Sequence, residues 1–246
     1  AEGQLRLKQS SVLVIGAGGL GSPAIYYLAS AGVGHIGIAD GDAVELSNLN
    51  RQILHASTRI GKNKACSAAE TIQEWNPEVQ VSVIPEFLQD ENILPLIRQY
   101  DFVVDASDQL QNKFLINDAC VTAGVPFCHG GIEGWDGQVM TYLPKQNLPC
   151  YRCVFESLPA DQESKPIGVI GVTAGIIGTI QASEAIRYLL GEQDGLLKGT
   201  LLRFSGQTMQ FRKIPLGKCA PHCPVCHGVP DANPLQWYQK FRNHKK

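Results

Sequence analysis

No charge of either sign dominates this chain. Among 246 residues, 21 Lys and Arg stand against 23 Asp and Glu, a net charge of −2. A dedicated nucleic-acid binder carries a basic excess, so that class is excluded. Long apolar runs are missing too. The longest weakly polar stretch, Gly168 to Ile180, has 13 residues before Glu184 and Arg187 follow. That is too short to cross hydrocarbon and suits a buried segment leading into a core or interface helix. The N-terminal AEGQLRLKQS has no secretory apolar run. Its abrupt polar start before a buried strand predicts that a further segment precedes it. There is no internal repeat, no low-complexity linker, and no Ser–His–Asp or Cys–His set of the hydrolytic kind.

What is present is ordinary globular material, 44% hydrophobic and 18% charged, which excludes disorder. The length suits one large α/β domain or two small ones. Eight cysteines without a secretory signal point to the cytoplasm, where disulfides are disfavoured and another use is expected.

Val12 to Ile15 is a short apolar run suited to a strand buried on both faces. It leads into Gly16-Ala17-Gly18-Gly19-Leu20-Gly21, then a helix over Ser22 to Ala31 and a strand over His35 to Ala39 that ends at Asp40. This order is the first half of a doubly wound nucleotide-binding fold. The patterning predicts helices over Lys64 to Trp75, Asn92 to Gln99, Lys113 to Ala123 and Thr179 to Leu190. Strands are expected over Val79 to Ile84, Phe102 to Ala106 and from Pro126 to His129. Gly137 to Leu143 and Gly199 to Ile214 read as antiparallel strands. The fold class is therefore α/β, Rossmann-like, a mostly parallel sheet continued by antiparallel strands. The basic tail PLQWYQKFRNHKK reads as a solvated end.

Gly16, Gly18 and Gly21 match the dinucleotide fingerprint, and Asp40 lies 19 residues beyond. Glycines let backbone approach phosphate, the following helix N-terminus favours negative charge, and the acid can accept from ribose hydroxyls. The motif alone suits NAD as readily as ATP. Arg51 and Lys64, with Asn48 as a neutral donor, form the kind of clamp that a triphosphate needs as charge moves onto departing pyrophosphate. Asp108, just past the fourth strand, either holds Mg²⁺ or caps the next helix. Cys150-Tyr151-Arg152-Cys153 and Cys223-Pro224-Val225-Cys226 are two C-x-x-C knuckles. Four thiolates suit closed, tetrahedral, structural zinc. His222 and His227 flank the second knuckle as rival ligands. Cys66, Cys120, Cys128 and Cys219 remain, and for Cys66 and Cys120, in helical stretches, a buried thiol is the default.

VLVIGAGGLGSP, ADGDAVELSNLNRQ, the Lys64 region, PCYRC, GVIGVTAGIIGTIQASEAIRYL and CPVC together resemble the ThiF/MoeB/HesA family, bacterial relatives of ubiquitin-activating enzymes. The resemblance covers nearly the whole chain. It implies a homodimeric adenylyltransferase that uses Mg-ATP to activate the C-terminal glycine of a ubiquitin-like sulfur carrier of the ThiS or MoaD kind, in thiamine or molybdenum cofactor synthesis. By motif, Gly19 approaches the phosphates and Asp40, with Asp42 beside it, meets the ribose. Ser47, Asn48, Leu49, Asn50 and Arg51 line the nucleotide site, Arg51 and Lys64 contact phosphates, and Asp108 orients Mg²⁺ beside Gln109. The resemblance further implies one adenylation domain, 1–130 binding nucleotide and 131–246 bearing zinc and the carrier and dimer surfaces.

Three departures from the family pattern stand out. Ser107-Asp108-Gln109 replaces the usual Thr-Asp-Asn. No cysteine lies between Val154 and Lys218, where some members carry one near the position of Ser164. The usual N-terminal helix, with an arginine reaching the partner's site, is expected to be absent. Adenylation of another carboxylate such as a peptide C-terminus, shaped by the loop from Phe155 to Pro166, is a close variant. A NAD-dependent reductase would leave Arg51, Lys64 and the knuckles without a role, and a non-catalytic nucleotide-binding scaffold is the third option.

Overall fold

Apolar runs without alternation form strands whose two faces are both buried. A computed structural model describes residues 2–155 and 168–227. In strand β1 (Ser11–Ile15), Val12 and Val14 enter one core while Leu13 and Ile15 enter the other. Strand β4 (Phe102–Asp105) divides likewise, Phe102 and Val104 against Val103. Helices α2 (Gly21–Ser30), α3 (Lys64–Trp75) and α7 (Gly171–Leu189) cover the first face. Helices α4 (Ile93–Ile97), α5 (Leu110–Ala123) and α6 (Tyr151–Phe155) cover the second.

With β2 (His35–Ala39), β3 (Gln80–Ile84), β5 (Phe127–Glu133), β6 (Asp136–Tyr142), β7 (Thr200–Ser205) and β8 (Gln210–Pro215), the eight-stranded sheet has the order β3-β2-β1-β4-β5-β6-β7-β8. Pairing is parallel from β3 to β5 and antiparallel from β5 to β8. The expected doubly wound, mostly parallel sheet with an antiparallel continuation is therefore the observed one. The order reverses between β1 and β4, and open α/β sheets bind ligands at such a point.

Three helices differ from expectation, one of them α6 (Tyr151–Phe155), where none was expected. Helix α7 starts at Gly171, eight residues before Thr179. Its glycines and β-branched residues read poorly as helix, yet Gly178 lets it approach α2, since a Cβ there would lie 2.2 Å from Leu20 O. The polar N-terminal stretch contains a helix, α1 (Glu2–Gln9), where none was expected. Leu7 enters the core and Arg6 Nη1 donates to Leu190 O at the end of α7, 3.0 Å away. Among the described residues no helix is long and apolar enough to cross a membrane. Ser164, nearly all of the Phe155–Pro166 loop and the basic tail lie outside the described residues.

Candidate functional site

The turn after β1 is built of glycine for two different reasons. Gly16 has φ +100°, and a Cβ on it would lie 2.6 Å from Ala106 O. A Cβ on Gly21 would meet Gly16 O at 1.9 Å. These two positions are closed by the turn's own packing. Gly18 and Gly19 face side chains instead, the Gln52 amide and the Arg51 stem. Leu20 at the N-cap of α2 supplies no side-chain acceptor, so the first N–H groups have no side-chain cap. Helix α3 contrasts with it, because Asn63 Oδ1 accepts from Cys66 N at 3.1 Å. An uncapped helix start beside glycine is suited to an anion.

A cleft opens at the switch point. It brings together Gly16, Asp40, Asp42, Asp108 and Gln109 from the expected set. Asp40 Oδ2 accepts from Ala17 N at 2.8 Å and Oδ1 from Asp42 N at 2.9 Å. Burial pushes its carboxyl above the ordinary value, partly offset by those two N–H groups. Each oxygen keeps a lone pair for a ligand hydroxyl. Asp108 is exposed on the cleft wall. Phe87, Leu88, Asn112 and Leu115, which sequence reasoning did not single out, line the same cleft. The Phe87 ring rests on Gly41, where a Cβ would come within 2.6 Å of it.

Gly18, Gly19, Gly21, Arg51 and Lys64 do not line the cleft. Lys64 Nζ pairs with Asp42 Oδ2 at 3.0 Å. Arg51 Nη1 donates to Ser47 O at 3.2 Å and to Asn50 Oδ1 at 3.0 Å, with its stem beside Gly19. Ser47, Asn48, Leu49 and Asn50 do not line the cleft. Asn48 turns inward, its Oδ1 accepting from Glu45 N at 3.2 Å, which closes a single 3-10 turn at Leu46–Asn48. Also unread from sequence is buried His55, whose Nε2 meets Ala17 O at 2.8 Å and whose Nδ1 meets Ser67 Oγ at 2.9 Å. Nε2 therefore donates and Nδ1 accepts, tying the glycine turn to α3. Burial lowers its pKa, and nearby Lys64 and Arg59 lower it further.

The two knuckles meet. Sγ atoms of Cys150, Cys153, Cys223 and Cys226 all lie within 4.8 Å of one another. Cys150 is 3.8 Å from Cys153 and 3.7 Å from Cys223. Four ligands about 2.3 Å from a tetrahedral zinc stand roughly 3.8 Å apart, so the donor set and spacing fit that ion. Helix α5 anchors the first knuckle: Asn117 Oδ1 accepts from Tyr151 N at 2.8 Å, and Asp118 takes Arg152 Nε at 3.0 Å and Nη2 at 2.5 Å. His227 does not join the thiols; its Nδ1 lies 3.0 Å from Cys219 Sγ. Cys120 and Cys128 are buried and Cys66 half-buried.

The ThiF family profile matches residues 1–225. An adenylyltransferase and sulfurtransferase MOCS3 of Culex quinquefasciatus is 43% identical over 99% of this chain and 56% of its own length. A sulfur carrier protein adenylyltransferase of Thermus thermophilus is 42% identical over 98% of this chain and 90% of its own. The chain spans little more than half the length of the MOCS3 relatives it matches. E. coli MccB, in a crystal structure with ATP, superposes with TM-score 0.81 at 23% identity, over 92% of this chain and 69% of that one.

Proposed function

The chain belongs to the ThiF family, and on that premise we propose that it adenylates the C-terminal glycine of a ubiquitin-like sulfur carrier protein. The observation that carries this reading is the composition of one cleft. Gly16, Asp40, Asp42 and Asp108 share it, while Lys64 pairs with Asp42 and the Arg51 stem lies beside Gly19 of the same turn. A nicotinamide site has no use for that pair of cations, whereas a triphosphate does.

In the reaction, a carboxylate oxygen of the carrier's last residue forms a bond to the α-phosphorus of ATP. The bond from that phosphorus to the β-phosphate bridging oxygen breaks, and pyrophosphate departs with the electron pair. Gly18 and Gly19 admit the phosphates to the uncapped start of α2. Asp40, oriented by Ala17 N and Asp42 N, accepts from the ribose. Arg51 and Lys64 neutralise charge on the leaving pyrophosphate, and positioning does most of the remaining work. Lys64 is kept near by Asp42, which it exchanges for phosphate. Asp108, an exposed oxygen donor on the cleft wall, would hold Mg²⁺, which would supply positive charge against the phosphates. The four knuckle thiolates would hold structural zinc.

On this reading the chain acts as one adenylation domain in the cytoplasm, with nucleotide bound by 1–130 and the carrier and a second copy met by 131–246. The test is ATP–pyrophosphate exchange with each candidate carrier. Exchange that requires the carrier's terminal glycine is expected. Absence of exchange despite ATP binding would shift the substrate to another carboxylate or leave a scaffold, and binding of NADH without ATP would make it a reductase.

A further inference from the structure

Beneath Asp108 lies a layer of buried charge that the reaction above does not use. Asp105, the last residue of β4, is 1% exposed, Lys113 of α5 is 6% exposed, and His129 of β5 is fully buried. Ionic groups are rarely buried this deeply unless they are fully partnered. Here the partners converge on one residue. Asp105 Oδ1 accepts from Ser107 N at 3.1 Å and from Ser107 Oγ at 2.6 Å. Lys113 Nζ donates to Ser107 O at 2.5 Å and to Gly130 O at 2.8 Å, and faces Asp105 Oδ2 at 3.6 Å. Both backbone polar atoms of Ser107 and its hydroxyl are thereby committed.

The clasp is itself braced. His129 Nδ1 donates to Asp105 Oδ2 at 2.9 Å. Gln181 Nε2 of α7 donates to Asp105 O at 2.7 Å and to Cys128 O at 3.1 Å. Burial would raise the Asp105 carboxyl, yet the Lys113 ammonium and the His129 hydrogen bond hold its pKa at about 2. Burial and Lys113 hold His129 neutral, at about 4. Asp105 is thus ionised throughout the working range, and burial lowers the pKa of the Lys113 ammonium, opposed by the Asp105 and Asp108 carboxylates. On the other side, Ala106 O and Ser107 N press on Gly16, the first residue of the phosphate turn. The residue that follows Ser107 has its direction determined from below.

We propose that Lys113 and Asp105 are positioning residues that fix the Ser107–Asp108 peptide and so set the Asp108 carboxylate for the divalent cation accompanying the nucleotide. The proposal deepens the adenylation reading of the cleft and rests on it. Groups that orient a metal ligand without touching the ion typically cost 10–100-fold in metal affinity or activity when removed.

The test uses the whole chain with Mn²⁺ in place of Mg²⁺ and ATP present, and reads Mn²⁺ affinity by electron paramagnetic resonance beside exchange kinetics. Lys113→Met should weaken Mn²⁺ about ten-fold or more and lower kcat by a similar factor, with KM for the carrier unchanged. Lys113→Arg, which keeps the charge and its donors, should recover most of both. Should Lys113→Met fail to fold, the double variant Asp105→Asn/Lys113→Met leaves neither charge buried alone, and Ser107→Ala cuts only the hydroxyl contact. Mn²⁺ affinity within two-fold of wild type in Lys113→Met, or in the double variant where Lys113→Met does not fold, overturns the proposal. So does a loss confined to melting temperature. If the unaltered protein shows no exchange with any carrier, the adenylation reading has failed, whatever the variants do.

Discussion

Strands β1 and β4 belong to the same sheet as β7 and β8, but their surroundings differ. All four residues of β4 are buried, and β1 is buried at every position but its first. Every residue of β8 is exposed, while β7 buries Leu201, Leu202 and Phe204 and exposes Arg203. The parallel half is therefore held by apolar burial on two faces. The antiparallel half thins from β7, whose Leu201 and Leu202 enter opposite cores, to an open edge at β8, and a metal ion held by the four thiols would add cohesion to this half. One half is ordered by solvent exclusion alone, and ligation by the four thiols would reinforce the other.

Breaking the ligation should have the largest effect. Cys223→Ser removes one of four thiolates, and structural zinc is worth roughly 10 kcal/mol in zinc-finger peptides. Loss of bound zinc and faster amide exchange in β7 and β8, with β1 and β4 still protected, is expected by elemental analysis and hydrogen exchange. Retention of one zinc per chain would sink the four-thiolate site. Next comes Asp108→Ala, which touches no packed group. Pyrophosphate exchange should fall on the order of 10²-fold or more while the thermal midpoint stays within about 2 °C.

Acid should loosen the parallel half at His129. Its folded pKa of about 4 lies below the ordinary 6.5, so the unfolded chain takes up a proton that the folded chain refuses. Stability from this group is full above pH 6.5 and falls as pH drops from 6.5 to 4, by up to about 3 kcal/mol. Asp105, held at about 2 against an ordinary 3.8, adds a second loss between those values. Urea unfolding at pH 7 and pH 5 for the wild type and His129→Gln isolates the first contribution, and equal slopes in the two proteins would remove it. The smallest contrast compares single truncations. Val104→Ala, in the buried strand, should cost about 2 kcal/mol. Ile214→Ala, 43% exposed on β8, should change stability by no more than about 0.5 kcal/mol. Equal costs would erase the distinction between the halves.

Legibility followed the same division. Runs such as Val12–Ile15 and Phe102–Asp105 were readable because continuous apolar sequence of that length has few other uses. The knuckles were readable because thiol pairs at that spacing have a restricted chemistry. Helix α7 reads short because Gly171, Gly175 and Gly178 lower helix propensity; Gly178 packs on the start of α2 and Gly171 on Asn50 O and Arg51, while Gly175 has open space around it. Helix α1 escaped because its one buried residue, Leu7, gives no periodicity. Of the candidate site, the glycines, Asp40 and Asp108 were legible from order along the chain. Phe87, His55 and Lys113 were not, since each acts through a neighbour distant in sequence. One faint signal existed: Asp105 interrupts an apolar strand, and a lone acid there requires a buried cation.

Cys150 with Cys223, and Cys153 with Cys226, are pairs separated by 73 residues. With metal bound, the chain between them is a closed ring that contains α7, β7 and β8. A single peptide-bond cut within that ring would yield two fragments chelating the same ion. They would stay together through the ion as well as through the packing of α7 on the core and the pairing of β7 with β6, so a chelator would loosen their association without a bond being broken.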